Sequence, residues 1–276
     1  MGDHTGSTPG YVLGYADRER RRLWLQAMIL RPFTERLLRD AGIIAGMQVL
    51  DVGCGVGDVS LIAAGLVGQN GFVTSIDVDP NALETLRERA AAAGYTNVDG
   101  IEANIHEFSP GHLFDAVVGR HILLHTPDPL TVMKRCHDLL HPRGLAVFQE
   151  YDFQVTPPCY PASPLRDSTF AFMNAFFAKA VHADIGSRLF HLFTEAGFPN
   201  PNCRGEFPVE GGPGSRCYEL QAESLRTILP RAKAMGLPGS SDIDIDTLEQ
   251  RLRAEAEKTG ASFPGSMMFS CYARRL

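Results

Sequence analysis

Between residues 48 and 150 five short apolar runs alternate with longer amphipathic stretches, and this alternation constrains the chain more than any other feature. The runs span residues 48–52, 73–76, 98–102, 114–119 and 145–150, and helix-patterned segments lie near 58–68, 80–93 and 130–140. Strands separated by helices pair in parallel, because each helical crossover carries the chain back to the same end of the sheet. The expected core is therefore an α/β doubly wound sheet. The His141-Pro142-Arg143-Gly144 sequence supplies a turn before the fifth run.

The flanks complete this core. Residues 17–42 read as helix, with Asp17 as N-cap and Gly42 as the stop, while Pro32 either kinks that helix or opens a second one. The charged run from Arg18 to Arg22 reads as a solvated helix face. Beyond residue 150 comes a proline-rich segment, 156–164, then a helix bearing Phe170, Phe172, Phe176 and Phe177 on more than one face. Such a helix must pack against something, either as a lid over a pocket or as domain core. A helix at 187–196, a strand at 202–209, helices at 218–235 and 246–258 and a strand at 267–274 follow, which brings the expected sheet to seven strands. The expected organisation is a flexible N-terminus (1–10), an N-terminal helical cap (11–45), a ligand-binding core (46–155), and lid helices with completion of the same sheet (156–276).

A chain of 276 residues with 44% hydrophobic and 21% charged side chains has ordinary globular composition. Its formal net charge of −6 and its four lysines argue against a phosphate-backbone partner, so no nucleic acid is expected. No apolar stretch approaches the ~18 residues of a membrane span. The opening MGDHTGSTPG has neither a basic nor an apolar signal region, and the six cysteines contain no C-x-x-C pair. Reduced thiols and a cytoplasmic location are the expectation.

The segment Val49-Leu50-Asp51-Val52-Gly53-Cys54-Gly55-Val56-Gly57-Asp58 is a buried strand running through a glycine loop into a helix. Glycines there let backbone approach a ligand closely at the helix N-terminus. A dinucleotide fingerprint would place its third small residue at position 58, which is Asp58. A carboxylate beside a pyrophosphate is electrostatically wrong, whereas a cationic ligand would favour carboxylates at Asp51 and Asp58. Asp77 ends the next strand, where a carboxylate takes the two hydroxyls of a ribose. Both clues fit an adenosine with a cationic tail, and no Gly-Lys-Ser/Thr follows to make a Walker A loop.

On these residues the chain resembles the class I S-adenosylmethionine-dependent methyltransferases, the broad group that includes ubiquinone and menaquinone biosynthesis C-methyltransferases and many natural-product methyltransferases. The resemblance covers most of residues 11–150 and rests on Asp51 to Gly57, on Asp77 in Ile76-Asp77-Val78-Asp79-Pro80, on Phe114-Asp115-Ala116-Val117-Val118 and on Leu140-His141-Pro142-Arg143-Gly144. It implies a Rossmann-like mixed sheet of seven strands with N-terminal helices and helical lid insertions, S-adenosyl-L-methionine as cofactor and S-adenosyl-L-homocysteine as product. The cofactor residues it implies are Asp51, Gly53, Gly55, Asp77 and Val78, with Asn104 and Ile105 on the adenine. Asn104 departs from the family's usual Asp there, keeping a carbonyl acceptor without the charge. Arg120 would line the methionine portion or lie on the surface. Tyr11, Tyr15 and Gln26 resemble lid residues over the methionine end, although Gln26 suits ordinary helix packing equally.

Methyl transfer is an in-line displacement in which the protein supplies proximity, orientation and exclusion of water. Where a base is needed, His121 and Glu150 lie at the carboxyl edge of the sheet and are the candidates. The competing reading, the stronger of the two, has His121 and His125 hydrogen-bonding within their own loop. No metal is expected, because the fourth-strand exit Gly119-Arg120-His121-Ile122 lacks the carboxylates of the metal-dependent methyltransferases. It also lacks the tetrad of the DNA-base enzymes. The expected acceptor is a small, largely hydrophobic metabolite methylated on O, C or N, and the chain is expected to act as a monomer or homodimer. The rivals are a protein that uses bound S-adenosylmethionine for a non-methylating reaction such as a cyclisation, and a non-catalytic binding protein.

Overall fold

The computed structural model describes residues 17–276. Tyr11 and Tyr15 lie outside the described residues. A single helix, α1 (Asp17–Ala41), precedes the sheet and runs through Pro32 without a break. The two-helix alternative is thus corrected. The alternation then follows as β1 (Gln48–Val52), α2 (Asp58–Val67), β2 (Phe72–Asp77), α3 (Pro80–Ala92), β3 (Val98–Glu102), β4 (Phe114–Arg120), α4 (Pro129–Asp138) and β5 (Leu140–Asp152). The second part contains α5 (Pro164–Ala180), α6 (Ile185–Glu195), β6 (Asn202–Glu206), β7 (Val209–Gly211), α7 (Cys217–Ala234), α8 (Leu248–Thr259), β8 (Ser262–Pro264) and β9 (Met267–Arg274).

Seven strands form one mixed sheet in the order β3-β2-β1-β4-β5-β9-β6. The first five are parallel, β9 runs antiparallel to β5, and β6 antiparallel to β9. Chain order reverses between β1 and β4, so the carboxyl ends of those strands flank the crevice where open sheets place their ligands. Two apolar clusters cover the two faces. One gathers Leu37 and Leu38 of α1 with Val59, Ile62, Ala63 and Val67 of α2. The other joins Phe148 of β5 to the inward residues of α4 through α8.

Three expectations are corrected. The predicted turn at 141–144 forms, but as a bulge inside β5: Phe114 pairs with Leu140 and Ala116 with Leu145, with Arg143 in left-handed backbone (φ 68). The strand expected at 202–209 stops at Glu206, and Val209–Gly211 pairs with β8 as a separate two-stranded sheet. Pro208 lies between the two pieces, and proline has no N–H to continue a ladder. The expectation of six reduced thiols also fails. Cys203 and Cys271 are directly opposite on β6 and β9, with Cα atoms 4.2 Å apart, and they form a disulfide. Cys54, Cys136, Cys159 and Cys217 remain free thiols. Among the described residues no helix is long and apolar enough to cross a membrane.

Candidate functional site

The crevice at the β1/β4 switch opens into a cavity of about 690 Å³. Its first half is built by the β1–α2 turn. Gly53, Gly55 and Gly57 all adopt positive φ, which an L side chain reaches only with strain. Their surroundings separate their roles. A Cβ at Gly53 would lie 2.4 Å from Ile122 Cδ1 and one at Gly57 would lie 1.9 Å from Leu86 Cδ1, so both glycines allow close packing within the protein, and Gly53 also lines the cavity. At Gly55 a Cβ would meet nothing within 4 Å, and Gly55 lines the cavity. That position leaves backbone open to a ligand.

Asp77, at the end of β2, accepts the Gly55 N–H at 2.8 Å and the Asp79 N–H at 3.0 Å. These bonds fix the carboxylate at the cavity wall, and a carboxylate's four lone-pair directions leave it capacity for further donors. Burial raises the pKa of Asp77. Asp51 is more extreme: buried at the base of the loop and hydrogen-bonded by Ser60 at 2.6 Å, it is pushed by desolvation up to about 7. A cation placed in the cavity would relieve both shifts.

Asp58 does not join that pair. It lies 2.8 Å from Arg89 and 3.2 Å from Arg120, so two guanidinium groups already neutralise it, which corrects its expected role toward a cationic ligand. Arg120 is likewise no surface residue. Its side chain is 7% exposed, lines the cavity and bonds Thr34 at 3.1 Å as well as Asp58. On the far side Asn104 accepts the His106 N–H at 3.0 Å through Oδ1, and its backbone carbonyl accepts the Glu107 and Phe108 N–H groups. Asn104, Ile105 and Val78 line this end of the cavity. Glycine loop, Asp77, Asp51 and Asn104 together form a donor and acceptor set that fits an adenosine with a positive tail.

The second half of the cavity is aromatic. Phe153, Phe170, Met173, Phe177, Ile228 and Phe263 line it. The phenylalanine-rich helix α5 is therefore both wall and core: Phe170 and Phe177 face the cavity, and Phe176 is fully buried. A column of rings leads from the strand ends toward α5. His121 stacks on Tyr151 at 4.0 Å, Tyr151 meets Phe153 at 5.5 Å, and Phe153 stacks on Phe177 at 4.0 Å.

The two candidate bases behave differently. His121 lines the cavity, and burial, with Arg120 as the next contributor, pulls its pKa well below 6.5. Gln26 of α1, buried, lies 2.8 Å from His121 Nδ1 and accepts a bond from Arg22 at 2.6 Å. Glu150 does not line the cavity. One oxygen, Oε1, accepts the Ile122 and Leu123 N–H groups at 3.0 and 2.8 Å, and burial pushes the carboxyl up to about 8. The structure thus does not bring Glu150 to the cavity wall beside His121. It holds the loop that carries His121 through those two backbone bonds.

Arg22 is buried and lines the cavity, which corrects its reading as part of a solvated face; Tyr151, Phe153, Gln221 and Ser224 line the cavity too but do not stand out in the sequence. Arg22 carried a usable signal, since it lies four residues before Gln26 and so shares its helix face. His125 lines the same wall, and burial lowers its pKa to about 3.

Residues 43–197 match a family described as "Methyltransferase domain". A demethylmenaquinone methyltransferase of Staphylococcus aureus (strain MRSA252) is 34% identical over 146 residues, which is 52% of this chain and 58% of the relative. Aklanonic acid methyltransferase DauC of Streptomyces sp. (strain C5) is 32% identical over 152 residues, 54% of this chain and 63% of the relative. The chain thus spans less than two thirds of the length of these curated relatives. A SAM dependent methyltransferase from Aquifex aeolicus superposes with a TM-score of 0.55 at 15% identity, covering 95% of this chain and 100% of that one. At that identity the likeness concerns the Rossmann-like fold.

Proposed function

The chain belongs to this methyltransferase-domain family, and on that premise we propose that it transfers a methyl group from S-adenosylmethionine to a small, largely hydrophobic metabolite. The observation that carries the reading is the cavity itself. One continuous space joins the Gly55 and Asp77 wall to a chamber lined by phenylalanines. The first half offers carboxylate, open backbone and an amide; the second offers aromatic surface for an apolar acceptor.

When bound, S-adenosylmethionine supplies an activated methyl group on a sulfonium and leaves as S-adenosylhomocysteine. The residues of the chain do the rest. Asp77 takes the ribose hydroxyls, Gly53 and Gly55 bring backbone close, and Asn104, Ile105 and Val78 border the adenine. Asp51 sets a negative charge at the loop toward the cationic end. Arg120, held by Asp58, and Gln26 border the methionine portion. Phe153, Phe170 and Phe177 exclude water and align the acceptor, which is where proximity and orientation lower the barrier.

The test has two parts. Calorimetry should show S-adenosylhomocysteine binding that weakens about tenfold to a hundredfold in Asp77→Ala, the loss expected for hydrogen bonds to a charged acceptor. Turnover with methyl-labelled S-adenosylmethionine should release S-adenosylhomocysteine and place label on the acceptor. Binding that is absent, or indifferent to Asp77→Ala, would remove the cofactor reading. Product formed without S-adenosylhomocysteine release would favour a cyclisation-type reaction instead.

A further inference from the structure

The geometry points to His121 as a neutral hydrogen-bond donor, protonated on Nε2, that holds a negatively charged oxygen of the acceptor instead of acting as its base. The inference rests on the reading of the aromatic chamber as the acceptor site.

The argument begins two residues away from the ring. An arginine guanidinium only donates, so the Gln26 atom that faces Arg22 at 2.6 Å must be the amide oxygen. The other side of the same amide, its NH₂, then faces His121 Nδ1 at 2.8 Å. An NH₂ group donates, so Nδ1 accepts, and a neutral imidazole whose Nδ1 accepts carries its proton on Nε2. The opposite tautomer would require the amide to turn over and set its NH₂ against the arginine's N–H groups. Arg22 thus determines the state of His121 through Gln26.

The protonation state is equally constrained. Arg22 of α1, Arg120 of β4 and His125 of the turn after β4 face the ring, and Tyr151 of β5 stacks on it. The two guanidinium groups disfavour a further positive charge. Burial disfavours it as well. An imidazole that already bears hydrogen on Nε2 and is held from Nδ1 has no site to take a proton from the acceptor.

His121 Nε2 is out of contact with solvent and has no hydrogen-bond partner among the described residues. A buried donor left unpaired is destabilising, and because the ring lines the cavity, a ligand oxygen that reached Nε2 would satisfy it. The backbone of His121 is itself held in left-handed conformation (φ 56), a strained position for a residue with a side chain. Glu150 fixes that loop from below through the Ile122 and Leu123 N–H groups. An N–H donor stacked on Tyr151 and within the electrostatic influence of Arg120 and Arg22 suits a phenolate or an enolate. Either loses its proton to solvent before binding, and its oxygen, or the carbon conjugated to it, donates the electron pair to the methyl carbon as the carbon–sulfur bond breaks onto sulfur.

The experiment uses the full chain labelled with ¹⁵N in histidine, with and without S-adenosylhomocysteine. His121 should show the Nε2–H tautomer without titrating between about pH 5 and 8. An Nδ1–H tautomer, or a midpoint inside that range, overturns the assignment. 4-Nitrophenol, an acidic phenol, is the oxyanion probe: it should shift the Nε2 resonance, and its affinity should fall about tenfold to a hundredfold in His121→Phe. That variant keeps a ring against Tyr151 but has no N–H. Gln26→Leu, which removes the NH₂ that donates to Nδ1, should let the Nδ1–H tautomer appear in the ¹⁵N spectrum and weaken the probe while the His121 residue is kept. Partial recovery in His121→Asn would support the donor role. Unchanged probe affinity in His121→Phe, or no shift at millimolar probe, overturns the oxyanion role. Failure of the unaltered chain to bind S-adenosylhomocysteine would strike the cofactor reading alone, because the tautomer is measured on the unliganded protein too.

Discussion

Replacing Glu150 by Gln separates a loop-shaping carboxyl from a catalytic one. Glu150 accepts two backbone N–H groups on Oε1, while Oε2 is buried without a partner. Burial raises its pKa from 4.5 to about 8. In the folded chain the group therefore stays protonated over a range in which the unfolded chain has released the proton. The unfolded state binds fewer protons there, so stability falls as pH rises from 4.5 to about 8. At about 1.4 kcal/mol per pH unit, the loss attributable to Glu150 between pH 5 and pH 8 is ~4 kcal/mol. Glutamine keeps the carbonyl acceptor for Ile122 and Leu123 and cannot ionise. Its NH₂ is an unpaired donor with a cost of roughly 1–3 kcal/mol that does not vary with pH. Urea unfolding of both proteins at pH 5 and pH 8 isolates the difference, because all other titrating groups are shared. The variant should lose less stability than the parent across that interval, and its S-adenosylhomocysteine affinity should be unchanged. Equal pH dependence in the two proteins would refute the burial argument, and a collapse of cofactor binding would return Glu150 to the site.

Asp51 yields a second pH prediction. Burial pushes the Asp51 carboxyl up to about 7; a ligand cation should lower that value, so binding should release protons and tighten as pH rises toward 7. Calorimetry in buffers of different ionisation enthalpy measures the proton count; no release near pH 6 would contradict it. Gly57→Ala should destabilise the chain by about 2–5 kcal/mol in urea unfolding, from left-handed backbone (φ 85) plus the clash with buried Leu86. Gly55→Ala has no such clash and should instead weaken S-adenosylhomocysteine binding, with a loss of stability nearer ~1–2 kcal/mol.

The parallel half of the sheet was legible because its signals are local. The loop after β1 needs glycine at three positive-φ positions, and Asp77 follows at the end of β2, so spacing alone located both. Features set by distant partners were not legible. Asp58 looked available to a ligand until Arg89 and Arg120 converged on it from α3 and β4. The pairing of Cys203 with Cys271 depends on the register of two strands 68 residues apart, which no local pattern encodes. Glu150 has the right residue type at the right strand end, yet whether it turns toward the cavity or under the His121 loop is decided by tertiary packing. Arg22 and Gln26 lie between these cases: their spacing was visible, but their link to His121 spans 95 residues.

The column from His121 through Tyr151 and Phe153 to Phe177 ends in α5, where Phe177 adjoins the fully buried Phe176. On the proposed function, one row of side chains answers both to the folding equilibrium and to the choice of acceptor. Trimming Phe177 or Phe170 to admit a bulkier guest also hollows the interior, at roughly 3–5 kcal/mol for a phenylalanine reduced to alanine. Descendants of this chain that adopt new guests are therefore expected to vary first at Ser224 and Leu220 on α7, which border the same chamber without being fully buried.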